Sequence, residues 1–169
     1  EGVQSAAANY AAALGSDGMF STGTRHDIVD SLYTRDAAAK LQGPMDKAYS
    51  PDFLGQMGLD ENGKAPKGST FVSRTIPVGT KVAQYSNDRA RVSVWYTGLI
   101  GMSGSNSTDP VRTTWKTWTF DLSWTAGDWK ITKDSQKDGP APVPGDESAA
   151  TSKDISEAVE QYGGFTYAR

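Results

Sequence analysis

Cysteine is absent from the 169 residues and histidine occurs once. The first absence excludes a disulfide framework, thiolate metal ligation and a cysteine nucleophile. With a lone imidazole and no thiol, the usual zinc ligand sets cannot be assembled. Long apolar runs are missing as well: no stretch approaches the roughly 20 residues that span a bilayer, and no signal-peptide core is present. Basic residues do not cluster. Seventeen Lys and Arg stand against 20 Asp and Glu, a formal charge of −3, and affinity for a phosphate backbone needs a concentrated basic surface. Nucleic acid is therefore a poor candidate partner. HExxH, GxSxG, Walker and dinucleotide motifs are also lacking, so neither a cofactor nor a metal is expected and no residue is assigned a catalytic role.

What is present describes a folded chain. Hydrophobic residues make up 37% and aromatics 10%, too apolar for disorder, and the length suits one well-filled core with appendages. The chain opens on Glu1 rather than Met. That start fits an excised signal or membrane anchor, and it fits an ordinary domain truncation equally well.

Periodicity divides the chain into a helical part and a strand part. Val3, Ala7, Tyr10, Ala11 and Leu14 recur at helical spacing within an Ala-rich run. A second, short helix is predicted from about Thr24, burying Ile28, Val29 and Leu32, and a third from about Asp36 to Tyr49. Gly43-Pro44 should kink or divide the third. Ser50-Pro51-Asp52 opens one further turn, and residues 60–68 form a polar loop. From Ser69 the period becomes two. Thr70–Ile76 and Thr80–Tyr85 read as two short strands, or as one strand broken at Pro77. Arg89–Ile100 and Val111–Trp124 are long strands, with residues 101–110 a loop between them. Thr125–Asp128 closes a hairpin onto a last strand through Trp129, Ile131 and Lys133. The alternating prolines of residues 138–145 predict an extended strap. Thr151 or Ser152 can cap a final helix with Ile155, Ala158, Val159 and Tyr162 on one face, followed by the aromatic end Phe165-Thr166-Tyr167.

The expected fold class is α+β: N-terminal helices packed on a curved antiparallel sheet, a cone-like roll over residues 1–137, with a strap at 138–150 and a helix and tail at 151–169. Strand parity assigns Tyr96, Trp118, Phe120, Trp124 and Trp129 to the inner face, where large rings form the core or line a cavity in the cone. Trp95 and Trp115 fall on the opposite face, placed to meet either the strap or a partner protein. His26 stands beside Arg25 and Asp27 in the second helix. Consecutive helical side chains diverge by about 100°, so a His26–Asp27 general-base pair is disfavoured and a surface position expected. Asp60, Asn62 and Lys64 lack the glycine and terminal Glu register of a calcium loop and read as a polar turn. Asn106-Ser107-Thr108 satisfies a glycosylation sequon and reads as loop chemistry.

The order of elements, with Trp118-Thr119-Phe120-Asp121-Leu122-Ser123-Trp124 and the closing Gly127-Asp128-Trp129-Lys130-Ile131, resembles the nuclear transport factor 2-like, cystatin-like superfamily over about Val3 to Gln136. Within it, the chain is similar to extracytoplasmic domains of conjugation and type IV secretion assembly proteins. Through Gln136–Pro142 and Gly163–Tyr167 it looks like actinobacterial membrane-anchored proteins of uncharacterised function. The resemblance implies a non-catalytic scaffold or assembly domain of a cell-envelope complex. Such a domain would act outside the cytoplasm through protein partners, would reach the membrane only by a removed N-terminal anchor, and could self-associate. The alternative is a small hydrophobic-ligand binder, or a cyclase- or isomerase-like enzyme using the cone cavity. The proline strap and last helix lie outside the usual superfamily core.

Overall fold

A computed structural model describes residues 2–104, 107, 109–142 and 152–162, with side chains in the last segment given for residues 153, 157, 158 and 160–162. Helix α1 (Gly2–Leu14) buries Val3, Ala7, Ala8, Tyr10, Ala11 and Leu14. Its alanines favour the helix at little entropic cost and let its backbone lie close to the sheet. A 3₁₀ turn (Asp17–Phe20) leads to α2 (Thr22–Leu32) and α3 (Arg35–Ala48). Then α4 (Pro51–Gln56) begins with Ser50 Oγ accepting from Phe53 N–H at 3.2 Å and proline in the first turn. The break expected at Gly43-Pro44 does not occur, and α3 runs undivided through Pro44. Lys40, Gly43 and Pro44 are all exposed, so water can serve the Lys40 carbonyl that proline leaves without a donor.

Four strands follow in one antiparallel sheet of order β1-β2-β3-β4: β1 (Thr70–Tyr85), β2 (Arg89–Ser103), β3 (Arg112–Thr125) and β4 (Asp128–Asp138). β1 is one strand, with its register shifted between Pro77 and Gly79. It pairs only with β2, and at an edge a proline removes no central ladder bond. β2 continues through Gly101–Ser103, beyond the point where the Gly- and Ser-rich composition predicts a loop. The β3–β4 turn places Ala126 at φ 53° and Gly127 at φ 84°, the paired positive angles of a two-residue hairpin that matches strand twist.

The N-terminal helices gather on the inner face of the curved sheet, and α1 lies across β1 and β2. Between them Val92, Val94, Phe120, Leu122 and Ile131 are buried. This is the α+β architecture that the sequence implies. The far edge of the sheet is tied to the helices where Thr34 N–H donates to the Ile131 carbonyl at 2.9 Å and Tyr33 bridges Ile131. The outer face carries the strap residues 139–142 and α5 (Ser152–Tyr162). Among the described residues no helix is long and apolar enough to cross a membrane. Asn106, Thr108, residues 143–151 and Gly163–Tyr167 lie outside the described residues, as do the side chains of Ile155 and Val159.

Candidate functional site

Apolar residues from the helices and inner-face residues from the first three strands enclose a half-open cavity of about 330 Å³ at the wide end of the roll. Its apolar wall includes Leu14, Met19, Phe20, Met45, Tyr49 and Phe53, and Tyr96 and Trp118 come from the sheet. Phe20 stacks on Phe53 at 6.2 Å between centroids and meets Tyr49 edge-on at 5.3 Å. The rim is polar, with Thr114, Lys116 and Gln136 on β3 and β4. Lys116 is already paired with Asp138 at 2.5 Å.

Of the five aromatics assigned to the inner face, the structure brings only Tyr96 and Trp118 to this cavity. Phe120 is packed without exposure in the core. Trp129 is buried at the narrow end, where its carbonyl accepts a short hydrogen bond from the Tyr10 hydroxyl. Burial, helped by Asp128, pushes the Tyr10 phenol up to about 12. Trp124, expected on the core side, is 47% exposed. It is the last inner-face position before the hairpin, beyond the reach of the helices, and stacks edge-on against Trp129 at 5.3 Å.

A carboxylate that periodicity did not single out sits among these rings. Asp134 lies opposite Phe120; it accepts from Tyr33 Oη at 2.8 Å and from Trp118 Nε1 at 2.8 Å. Both oxygens are thereby engaged in holding rings in place. Burial first, then the Asp134 charge, drives the Tyr33 phenol far above its ordinary range. The register shift at Asp121/Leu122 makes this possible, because it moves Lys133 off the face of Ile131 and turns Asp134 inward.

The helical layer is held by a second unpredicted residue. Arg25 is 1% exposed. Its guanidinium donates to the Met19 carbonyl at 2.9 Å and to Asp46 at 2.8 Å, and lies 4.9 Å from the centre of the Tyr49 ring. His26 Nε2 reaches both oxygens of the same Asp46 at 2.9 and 3.0 Å. The histidine's acidic neighbour is thus Asp46 on α3, twenty residues away, rather than Asp27. Hydrogen bonds from Arg25 and then His26 hold the Asp46 carboxyl below its ordinary value. Neither His26 nor Asp46 lines the cavity; the trio fastens α2 to α3. Among the described residues no group of three or more His, Asp or Glu is placed to hold a metal ion. Asp60 Oδ1 accepts from the backbone N–H of Asn62 and Lys64 at 2.9 and 2.8 Å, a turn-closing use of the carboxylate.

On the outer face, the rings of Trp95 and Trp115 meet at a 40° tilt with 5.3 Å between centroids. The strap covers them. Trp95 Nε1 donates to the Pro140 carbonyl at 2.9 Å, Thr117 Oγ1 to the Gly139 carbonyl at 2.9 Å, and Gly139 N–H to the Trp115 carbonyl at 2.7 Å. Tyr162 of α5 comes to 6.3 Å from Trp95 and sits over Gly79, where a Cβ would stand 2.6 Å from that of Tyr162. Lys81 Nζ donates to Gln161 at 2.8 Å. Burial raises the Tyr162 phenol, although hydrogen bonds with Thr117 and Ser93 work against the shift.

Comparison with known proteins places this architecture in a family. The model of the family described as "Domain of unknown function (DUF8175)" matches residues 48–151, more than half of the chain, and the chain belongs to that family. No curated protein matches the sequence. A solved structure, the intermembrane space region of the chloroplast protein ARC6, is similar at 17% identity over 71% of this chain and 83% of that chain, with a TM-score of 0.35. That overlap is too loose to support a conclusion about this chain.

Proposed function

Taking the chain as a member of the DUF8175 family, we propose that it is a non-catalytic scaffold or assembly domain of a bacterial cell-envelope complex of the conjugation and type IV secretion kind, working outside the cytoplasm through protein–protein contacts. The observation that carries this reading is the engagement of the carboxylates nearest the helices and the cavity in structural contacts. Asp134 is occupied by Tyr33 and Trp118, and Asp46 by Arg25 and His26. The apex of the roll is filled by Phe120, Val92 and Ile131. A general acid or base must reach a substrate proton, and these carboxylates reach only their own helices and rings. The resemblance of the strand pattern to extracytoplasmic assembly domains supplies the compartment. Cross-linking in native membranes tests the reading. Recovery in a discrete adduct with an envelope protein is the expected result, and recovery only as a solitary soluble protein would overturn it.

A second reading is favoured by one specific observation, the cavity of about 330 Å³ walled by Phe20, Tyr49, Phe53 and Trp118. This size lies at the lower end of small-molecule sites, and the mostly apolar wall with few polar groups is typical of them. In that reading the domain holds a small hydrophobic ligand, and native mass spectrometry of the purified protein would show a co-purified mass that Trp118→Ala removes.

A further inference from the structure

The half-open cavity of about 330 Å³ at the wide end of the roll has walls that are braced from behind. On the helix side, Phe20 packs against three rings, Phe71 at 4.6 Å, Tyr49 at 5.3 Å and Phe53 at 6.2 Å between centroids. On the sheet side, Trp118 is held by its Nε1 bond to Asp134 at 2.8 Å, and its ring meets Phe120 at 5.3 Å and Tyr96 at 6.0 Å. Met19 and Met45 add apolar lining that adapts its shape. Rings fixed before a ligand arrives reduce the ordering cost of binding it.

The mouth is chemically different. Cross-strand pairing on the inner face sets Lys116 opposite Asp138 and Trp118 opposite Gln136, so a cation and an amide flank the sheet-side wall. Lys116 offers three N–H donors, of which Asp138 takes one at 2.5 Å. Asp138 is 80% exposed and does not itself line the cavity; an ion pair that open to water is worth little. Among the described residues the Gln136 side-chain amide has no partner, and Thr114 adds a hydroxyl beside it. Ser73, on β1, is spent on the Gly15 carbonyl at 3.0 Å. Spare donors and the one cation of the site therefore lie together on β3 and β4.

We propose that this cavity binds a monocarboxylate with an apolar body, the body against the aromatic walls and the carboxylate at the mouth on Lys116 and Gln136. The inference rests on the ligand-binding reading of the cavity and adds the chemistry of the head. A volume of about 330 Å³ is room for on the order of ten water-sized groups, which suits an acid of roughly eight to ten carbons. Burial of the body supplies affinity, and the head fixes orientation through a charge-assisted bond to Lys116. At a half-open mouth the carboxylate keeps part of its hydration, so little desolvation opposes it. A cationic head would meet the Lys116 ammonium, and a bare anion would leave the walls unused. Binding of this kind needs no turnover and leaves the assembly reading intact.

The test is titration of the whole chain, followed by NMR, with octanoate and 3-phenylpropanoate, a chain and a ring carrying the same head, and in parallel with 1-octanol and octylammonium. Expected are saturable shifts at Phe20, Tyr49, Lys116 and Trp118 with at least one of the two acids, and binding of octylammonium about tenfold weaker than that of octanoate. The preference for octanoate over 1-octanol should fall about fivefold in Lys116→Gln, the scale of one charge-assisted bond at a partly exposed site. It should rise in Asp138→Asn, which removes the competing carboxylate. Octylammonium as tight as octanoate, or a preference unmoved in either variant, overturns the carboxylate assignment while binding of 1-octanol keeps the cavity reading standing. Silence from all four ligands overturns both. A folded spectrum of each variant separates loss of the site from loss of the fold.

Discussion

Arg25 and Asp134 do in the interior what apolar residues usually do. A buried guanidinium is tolerated when its charge and most of its donors are matched; Arg25 does this with the Met19 carbonyl, Asp46 and the face of Tyr49, while its Nε is left buried without a hydrogen-bond partner. Arg25→Met keeps the stem and strands the Met19 carbonyl. Chemical denaturation should show a loss of about 2 kcal/mol, on the scale of one hydrogen bond to a charged group. Asp46 sets a pH dependence. A carboxyl held below its ordinary value when folded stabilises fully above its unfolded pKa of about 4, and that contribution disappears as pH falls through the folded value. Acid unfolding curves of Asp46→Asn should therefore lack part of the wild-type slope below about pH 4. Tyr10 and Tyr33 act at the other extreme. Phenols raised on folding stabilise fully below their unfolded pKa near 10 and lose that contribution as pH rises beyond it. Wild-type stability should fall from about pH 10 upward, and Tyr33→Phe should blunt the fall. None of these roles was legible in the sequence. Arg25 reads as one more charge on an amphipathic helix, and Asp46 and Asp134 each find their partners 16 or more residues away.

At the scale of elements, local period carried the reading well. Helical spacing placed α1, α2 and α5, and alternation placed β2 and β3 with their inner and outer faces, because one buried side imposes its pattern on each element. Failures came where solvent or an edge relaxes the rule. Exposed Pro44 lies inside α3, where an interior proline costs up to about 3 kcal/mol relative to alanine. Pro44→Ala should raise the melting temperature and add about 1–3 kcal/mol of stability. Edge position likewise let β1 pass through Pro77 with a shifted register. The docking of α5 depends on Gly79, since a Cβ there would press into Tyr162. Gly79→Ala should leave the sheet folded and speed hydrogen exchange in α5 several-fold, and exchange equal to wild type would show that α5 is not held at that point.

Over the whole molecule, one sheet serves two environments. Its inner face is covered by helices except at the wide end and around Trp124, and its outer face carries an aromatic patch roofed by the chain's own strap and an open polar concavity lined by Gln84, Arg89, Arg91 and Asp121. The cavity was anticipated only in part. Strand parity identifies which rings point inward but not how far the helices extend over them, so Trp118 and Tyr96 reach the cavity while Phe120 is sealed and Trp124 is left outside. The polar concavity went unread, because its charges converge through cross-strand register rather than through sequence spacing. We infer that this domain works by holding other proteins rather than by turnover. A photo-reactive side chain at exposed Ile76, irradiated in intact cells, decides between the two. A single dominant adduct with another envelope protein is predicted; a chain that stays uncrosslinked there, together with conversion of a small molecule by the purified domain, would contradict it.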